Sequence, residues 1–372
     1  PPTAALRNPV DVIGFATEEQ HARAVEIMLK ANEIDSLIIL HVSVRAADNG
    51  PVAAGIAKGI SAARQATGRN KPVYLCWMAE GDLERTFTIN GETIPTYRHP
   101  EIPARIISRA LAYETWRRQS IGQVPRDKDI DLTAAKAICA KALSERGPSW
   151  LTTEETQALL AAIKLPLVQG TVATSAEEAA TLAQKIGFPV AVKLASRQIV
   201  HKTEIGAVQL NLADEQAVRD AFEAIRSRLA QDHKLEAMEG VLVQPMLSDG
   251  VEVMAGMTRD PLFGPLLAFG LGGIHVEILG DMQFRVAPLT DRDAAQMVRA
   301  IKGYRLLQGY RGQPPAEVKA LEEVLLRLSR LVEEVPEISE LDLNPIFALP
   351  EEQGCKIVDA RIRIEAKKLP KV

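Results

Sequence analysis

The sequence predicts an α/β protein in which a doubly wound domain is followed by a second, α+β domain. Early in the chain, apolar and β-branched runs such as SLIILHV (36–42) and VYLCW (73–77) alternate with helical stripes, which is typical of parallel strands joined by helices. Later, GVEVMAGMTRD (250–260), PLLAFG (265–270) and QFRVAPL (283–289) follow one another across short loops, which indicates antiparallel strands. A length of 372 residues suits two or three domains.

Each element of the first part carries a local pattern. Thr17 to Gln20 forms a capping box ahead of an apolar helical stripe, and TIPTY (93–97) is a short strand. Helices are expected at about 51–66 and 100–116. No glycine-rich phosphate loop follows these strands, so this domain, expected at 1–121, need not bind a nucleotide.

The polar stretch GQVPRDKDID (122–131) has no periodicity, and we interpret it as a linker to a second domain at 132–372. We divide that domain into a first lobe at about 151–243 and a second lobe at about 244–366. Its clearest helix starts after Ser175 and stops at Gly187, where a left-handed residue is expected. Further helices are predicted at 214–230, 291–302 and 315–333, and two strands at 338–349 and 355–364.

Composition excludes several classes of protein. The net charge is −4, the pI is about 6.0 and only 4% of residues are aromatic, so neither a basic patch nor a stacking platform for nucleic acid is expected. Three dispersed cysteines suggest a reducing, cytoplasmic environment. The longest apolar stretch (262–274) is broken by glycines and a proline, so no membrane span is predicted. Because the chain begins with Pro1, we expect a piece of a longer protein.

Lys193 ends the apolar run before it, in the stretch KLASRQIVHKTEIGAV (193–208). A lysine at a strand end can hold its ammonium over bound phosphates as a point charge. The alternative is a solvent-facing strand end. His201 lies eight residues on, and its imidazole could accept a phosphoryl group, although a structural histidine is the commoner case.

Asn344 and Asp359 are polar residues within two otherwise apolar terminal strands, ELDLNP and IVDARI. Mg²⁺ takes a few carboxylate or amide oxygens and leaves its other positions to phosphate and water, so two adjacent strands could aim both side chains at one ion. The alternative is a turn asparagine before Pro345 and an aspartate paired with Arg361.

Two further stretches could contact a nucleotide. Gln244, Pro245 and Met246 join two predicted strands, where backbone groups could contact an adenine edge, and Glu252 could take the ribose hydroxyls. FGLGG (269–273) exposes backbone N–H groups that could hold a phosphoryl group. The alternative for the first stretch is an ordinary connection between strands, and the alternative for FGLGG is a simple turn.

The order of these motifs is more specific than any one of them. FPVAVKLASRQIVHKTEIGAV, VLVQPM, GVEVMAGMTRDPLFGPLLAFGLGGIHVE, FRVAPL, ELDLNP and IVDARI together resemble the ATP-grasp domain of NDP-forming acyl-CoA synthetases, relatives of succinyl-CoA synthetase. NPVDVIG (8–14) and IPTYRHPE (94–101) resemble the flavodoxin-like ligase domain that precedes it. The resemblance implies a flavodoxin-like doubly wound domain followed by a two-lobed ATP-grasp domain.

The resemblance also implies a function and site residues. The complete enzyme interconverts acid, ATP and CoA with acyl-CoA, ADP and phosphate through a phosphohistidine, with Mg²⁺ as cofactor. The implied roles fall in four groups. Nucleotide contacts are Lys193, Ser196, Gln244, Pro245, Met246 and Glu252, metal ligands are Asn344 and Asp359 with Asp342 a lesser candidate, catalytic residues are His201, Lys202 and Glu204, and phosphohistidine-loop contacts are Gly272, Gly273 and Arg285.

The family's CoA-binding domain and phosphohistidine domain have no counterpart in this sequence. We expect them in cis or on another subunit, and we expect a homo-oligomer. Two alternatives remain. One is a ligand-sensing regulatory region of a protein lysine acetyltransferase with the same architecture, and a more distant one is a ligase that joins a carboxylate to an amine.

Overall fold

A computed structural model describes residues 3–42, 50–78, 86–89, 91–126, 129–199, 205–273 and 280–366. The chain divides into two compact units, Pro1–Ser120 and Ile121–Val372. No helix among the described residues is both long enough and apolar enough to cross a membrane.

The first unit is built on a mixed sheet with strand order β1-β2-β4-β3. Strands β1, β2 and β4 are parallel to one another, and β3 is antiparallel to β4. The elements are α1 (Glu18–Lys30), β1 (Leu37–Val42), α2 (Gly50–Thr67), β2 (Val73–Met78), β3 (Thr86–Ile89), β4 (Glu92–Tyr97) and α3 (Glu101–Arg118).

Helices α1 and α2 pack closely because α2 presents two glycines to α1. A Cβ at Gly55 would lie 2.5 Å from the Glu18 carbonyl oxygen, and one at Gly59 would lie 2.5 Å from that of Ala22. Thr17 caps α1 with the capping box that the sequence predicts.

The second unit contains two sheets. Its elements before residue 246 are α4 (Leu132–Arg146), β5 (Ser149–Trp150), α5 (Thr153–Ala162), β6 (Thr171–Ala173), α6 (Ala176–Ile186), β7 (Val190–Ala195), β8 (Val208–Leu212), α7 (Glu215–Gln231) and β9 (Gly240–Pro245). Strands β6, β9, β7 and β8 form an antiparallel sheet in that order, called here the small sheet. Helices α6 and α7 cover one face of it, where Val192, Val243 and Phe222 share a core.

The remaining strands form the large sheet, in the order β12-β11-β10-β13-β15-β5 with β14 also paired to β13. Its elements after residue 250 are β10 (Val251–Asp260), β11 (Gly264–Leu271), β12 (Met282–Val286), α8 (Asp291–Ala300), α9 (Tyr304–Leu307), α10 (Val318–Glu334), β13 (Ile338–Ala348), β14 (Cys355–Ile357) and β15 (Ala360–Ile364). Its described pairs are antiparallel. One face carries the largest core of the molecule, which includes Phe269, Leu343 and Met297.

The fold class is confirmed, and most predicted elements lie within two or three residues of their expected bounds. The division into lobes differs. Residues 151–168, expected in the first lobe, pack against the large sheet: Leu159 and Ile163 are buried in its core, and β5 pairs with β15. Part of the predicted linker also packs on the second unit, where the Gln123 backbone exchanges two 2.9 Å hydrogen bonds with Asp291.

Candidate functional site

The small sheet presents polar side chains on the face that its helices leave uncovered. Along β7 and β9, alternate residues such as Val190, Val192 and Val243 enter the helical core. The residues between them point the other way, because strand side chains alternate between faces. Lys193 and Gln244 belong to that second set, with Lys193 opposite Leu242 and Gln244 opposite Ala191.

Lys193 is buried, not solvent-facing, with 5% of its surface exposed. Its Nζ donates to the carbonyl oxygen of Val358 at 3.2 Å, so the side chain reaches from the small sheet to the residue before Asp359. A desolvated ammonium is costly unless it is paired. Its position supports a role as a phosphate contact and removes the alternative of a solvent-facing strand end.

Gln244 is 2% exposed, and its Nε2 donates to the Val168 carbonyl at 3.0 Å. Its Oε1 is buried and has no hydrogen-bond partner among the described residues. The Met246 N–H donates to the Pro189 carbonyl at 3.1 Å, and Pro245 has no N–H. The side-chain oxygen of Gln244 is therefore a buried acceptor left open at this junction, whereas the sequence interpretation relied on backbone groups.

Asn344 and Asp359 are neighbours on the open face of the large sheet. The Asn344 N–H donates to the Asp359 carbonyl at 3.2 Å, beside the paired residues Leu343 and Ala360. Leu343 is buried in the core, so Asn344 next to it points to the opposite, open face. Asp342 shares that face, two residues before Asn344.

Hydrogen bonds tie the two sheets together at this point. Val168 accepts from Gln244 on β9, and its N–H donates to the Ile357 carbonyl at 2.8 Å. Together with the bond from Lys193 to Val358, these contacts hold the uncovered face of the small sheet over the 357–359 segment. Lysine and amide groups from the strands and the carboxylate of Asp359, just before β15, therefore lie in one region.

Glu252 and the glycines that follow β11 form a second part of the open face. The Gly272 N–H donates to the Glu252 carbonyl at 2.8 Å. A Cβ at Gly273, whose φ is +65°, would lie 2.9 Å from the Glu252 Oε2. The structure thus places Gly272 and Gly273 next to Glu252, although the sequence interpretation gave the glycines and the glutamate separate roles.

Ser196 forms a local turn. Its Oγ accepts hydrogen bonds from the backbone N–H groups of Gln198 and Ile199 at 3.2 and 3.0 Å, and this turn leads toward residues 200–204. The three predicted catalytic residues, His201, Lys202 and Glu204, lie outside the described residues. Their roles stay predictions.

Arg285 is not brought together with the glycines. It pairs with Leu267, whose side chain enters the core, and it lines a surface depression with Arg292 and Arg299 of α8. Neighbouring Phe284 faces the open side instead. The structure therefore offers no support for Arg285 as a contact of the same loop as Gly272 and Gly273, because the two lie on opposite faces of the sheet.

Arg361 is a residue of this region to which the sequence interpretation gave no role beyond a possible pair with Asp359. It lines a small cavity with Ser196 and Ile199, and also a groove of about 560 Å³ over the open face of the large sheet. Its Nη2 lies 3.6 Å from the Asp359 Oδ2. The pattern Asp-Ala-Arg on a strand could have identified it, since residues two apart on a strand share a face.

Thiol chemistry has no support at this site. Cys139 and Cys355 are buried in the core of the large sheet, and burial raises the pKa of each thiol to about 12. Cys76 is buried in the first unit, where desolvation followed by the charge of Glu101 raises its pKa. All three remain protonated thiols near neutral pH, and a thiol is a poor nucleophile compared with a thiolate.

The donors near Asp359 suit Mg²⁺ but not a soft metal. No group of three or more His, Cys, Asp or Glu side chains within the described ranges could hold a metal by itself. Asn344 and Asp359 offer only oxygens, and Mg²⁺ in phosphoryl-transfer sites commonly takes one or two carboxylates and completes its shell with phosphate and water. The side chain of Asp359 is 18% exposed, and among the described residues its one ionic contact is with Arg361 at 3.6 Å, so no hydrogen bond from these residues occupies its oxygens.

Comparison with known proteins gives the family of the chain. The family model for the ATP-grasp domain matches residues 141–364. The 4-hydroxybutyrate–CoA ligase [ADP-forming] of Nitrosopumilus maritimus is 34% identical over 362 residues, covering 97% of this chain and 51% of that protein. The chain therefore spans about half the length of this relative.

Separate subunits also match. The beta subunit of acetate–CoA ligase [ADP-forming] I from Pyrococcus furiosus is 43% identical over 229 residues, covering 61% of this chain and 97% of that subunit. The alpha subunit of acetate–CoA ligase [ADP-forming] II from the same organism is 36% identical over 104 residues, covering 27% of this chain and 22% of that subunit.

Among solved structures, acetyl-coenzyme A synthetase 1 of Candidatus Korarchaeum cryptofilum with coenzyme A and Ca-AMPCP is 40% identical, with a TM-score of 0.59, and the match covers 62% of this chain and 100% of that chain. A second structure of that protein holds coenzyme A and Mg-AMPPCP, with its phosphohistidine segment pointing towards the nucleotide-binding site. It is 38% identical, with a TM-score of 0.53, over 62% of this chain and 100% of that chain. The chain belongs to the family of ADP-forming acyl-CoA ligases that carry an ATP-grasp domain.

Proposed function

We propose that this chain is the nucleotide-binding and phosphoryl-transfer portion of an ADP-forming acyl-CoA ligase. The complete enzyme converts a carboxylic acid, ATP and CoA reversibly to acyl-CoA, ADP and phosphate. In the direction of ATP use, the bond between the γ-phosphorus and the bridging oxygen breaks, ADP leaves with the electron pair, and a phosphorus–nitrogen bond forms to a histidine.

The observation that carries the proposal is the convergence of Lys193, Asn344 and Asp359. Phosphoryl transfer depends mainly on positioning and on neutralising phosphate charge. A buried ammonium beside a pair of oxygen donors supplies both, with Mg²⁺ held by Asn344 and Asp359 and phosphate oxygens near Lys193. Gln244 and Glu252 would then bind the adenine and the ribose, in line with the nucleotide analogues bound by the Korarchaeum relative.

The partners follow from the same comparison. A CoA-binding domain and a phosphohistidine domain, in cis or on another subunit, complete the enzyme, as the separate alpha and beta subunits of Pyrococcus furiosus suggest. We propose a cytoplasmic homo-oligomer. The regulatory alternative is not favoured, since the relatives reported above are ligases.

The decisive experiment identifies the products of the complete enzyme. With acetate or 4-hydroxybutyrate, ATP and CoA, we expect acyl-CoA, ADP and phosphate, detected by chromatography and phosphate release. AMP and pyrophosphate would overturn the proposal. Binding of acyl-CoA or nucleotide without turnover would favour the regulatory alternative, and an amide product would favour a carboxylate–amine ligase.

A further inference from the structure

Arg361 lies on β15, two residues after Asp359 and directly opposite Asp342 on β13. Arg361 and Asp342 point to the open face of the large sheet, where both line a groove, and Asp359 lies next to Arg361. The side chain of Arg361 is 23% exposed, so most of it is packed against the protein. A guanidinium carries five N–H donors, which can bind a ligand that enters the space beside it.

Within the part of the chain that the structure describes, this guanidinium donates no hydrogen bond. Its one ionic contact is the Asp359 Oδ2 at 3.6 Å, which is longer than a hydrogen bond. Two other arginines of the same unit show the usual arrangement. Arg327 donates to Asp129, Glu323 and the Ile163 carbonyl, and Arg259 donates to the carbonyls of Ile338 and Val332.

The spaces around Arg361 indicate which ligand its N–H donors could bind. One cavity beside it is lined by Ser196, Arg197 and Ile199, which lead toward residues 200–204. The groove on its other side is lined by Gln198 and by the open face of the large sheet. Arg361 therefore lies beside Asp359 and lines the same two spaces as residues 196–199, the segment that leads to His201.

We propose that Arg361 binds the non-bridging oxygens of the transferred phosphoryl group. This assignment rests on the proposed function. A planar guanidinium matches two phosphate oxygens at once, and such charge-assisted bonds stabilise the charge that a phosphoryl group carries during transfer. Arg361 forms and breaks no covalent bond, since the phosphorus–oxygen bond to ADP breaks and the phosphorus–nitrogen bond to histidine forms without it.

The test compares two nucleotides, of which one has the terminal phosphoryl group, on a bridging NH, and the other lacks it. Calorimetry on this chain measures the Kd of Mg·ADP and of Mg·β,γ-imido-ATP for the wild type and for Arg361→Gln. We expect the imido-ATP affinity to fall about 10–100-fold, the value of one or two charge-assisted hydrogen bonds, and the Mg·ADP affinity to change less than about 3-fold. The matched control is Arg363→Gln, which makes the same charge change on the same strand at a residue paired with Glu365.

Three results overturn the proposal: no change for either nucleotide, an equal loss for both, or the same selective loss in Arg363→Gln. If Arg361→Gln fails to fold, Arg361→Lys keeps the charge and loses the planar fork, so it must still weaken imido-ATP selectively, by about 3–10-fold. Wild-type affinity for imido-ATP in that variant overturns the proposal too. A wild-type chain that binds neither nucleotide contradicts the proposed function instead.

Discussion

The small and large sheets contribute polar residues to the site in physically different ways. On the small sheet, Lys193 and Gln244 lie in strands that are almost wholly buried, and each makes a hydrogen bond to a backbone carbonyl of another segment. On the large sheet, Asn344 and Asp359 lie on an open face whose opposite face is the core. The first set is held by burial and hydrogen bonds, and the second set is held by strand register.

Because of this difference between the two sheets, the nucleotide affinity and the free energy of unfolding should respond differently to substitutions. A buried charge adds little net stability once its desolvation is counted, yet it interacts strongly with a ligand that enters the same dry region. A side chain on an open face costs little to place, and its value depends on the ion or ligand that it binds. Substitutions in the two sheets should therefore affect nucleotide binding to different extents.

The largest effect is expected for Lys193→Met, which removes the buried ammonium and keeps most of the side-chain volume. Loss of one partner of a desolvated charge pair should raise the Kd of Mg·ADP by about 100-fold or more, whereas the free energy of unfolding should change by less than about 1 kcal/mol. Calorimetry and urea denaturation measure the two quantities. Lys185→Met, at an exposed position of α6, is the control. Equal affinity in both variants would contradict a phosphate contact.

A smaller, metal-dependent effect is expected for Asp359→Asn, which keeps the shape of a ligand and removes its charge. The Kd of Mg·ADP should rise about 10–100-fold, because Mg²⁺ strongly prefers carboxylate oxygen, while the affinity for ADP in EDTA should stay unchanged. Glu340→Gln, on the paired strand β13 and lining the groove beside Arg361, provides the control. If the affinity for ADP fell equally with and without Mg²⁺, Asp359 would contribute to the structure of the site and would not bind the metal.

Much of this arrangement could be predicted from the sequence. Strands β1, β2 and β7 are continuous apolar runs, and capping residues mark the starts of α1 and α6. Helix α4 could not be predicted, because its buried positions are small residues, Ala135, Cys139 and Ala142, which give a weak apolar stripe. Asn344 and Asp359 lie close together because the last two predicted strands are neighbours in the sheet. The order of these strands in the chain already suggested that they are adjacent.

Long-range contacts account for what the sequence did not predict. The placement of α5 against the large sheet depends on β5 pairing with β15, a strand more than 200 residues later in the chain. Val168 joins the two sheets through single hydrogen bonds to Gln244 and Ile357, and no local pattern marks it. The role inferred for Arg361 depends on the lack of hydrogen-bond partners among the described residues, which is a property of the folded surroundings.

The third prediction tests whether the open acceptor on the small sheet contacts adenine. Gln244→Leu removes the Oε1 that has no described partner, so the affinity for ADP should fall about 3–10-fold, the value of one hydrogen bond. IDP has no 6-amino donor, so its affinity should stay the same in both proteins. Calorimetry with both nucleotides measures this difference. A parallel loss of IDP binding would mean that the substitution acts through the contact with Val168.

The smallest effect is expected at the glycine beside Glu252, on the large sheet. Gly273→Ala and Gly264→Ala both place a methyl group at a positive φ, +65° and +77°, so both carry similar backbone strain. They differ in surroundings, since a Cβ at Gly273 meets the Glu252 carboxylate at 2.9 Å and one at Gly264 meets nothing within 4 Å.

If Glu252 binds the ribose, Gly273→Ala alone should displace it and reduce the preference for ADP over 2′-deoxy-ADP by about 2–5-fold. Competition binding with the two nucleotides measures that preference, and thermal denaturation checks that the two variants are destabilised alike. If Gly264→Ala lowered the preference for ADP over 2′-deoxy-ADP equally, backbone strain would be the cause and not displacement of the Glu252 carboxylate. An unchanged preference in both variants would remove Glu252 from the nucleotide site and leave the binding of ribose to the small sheet.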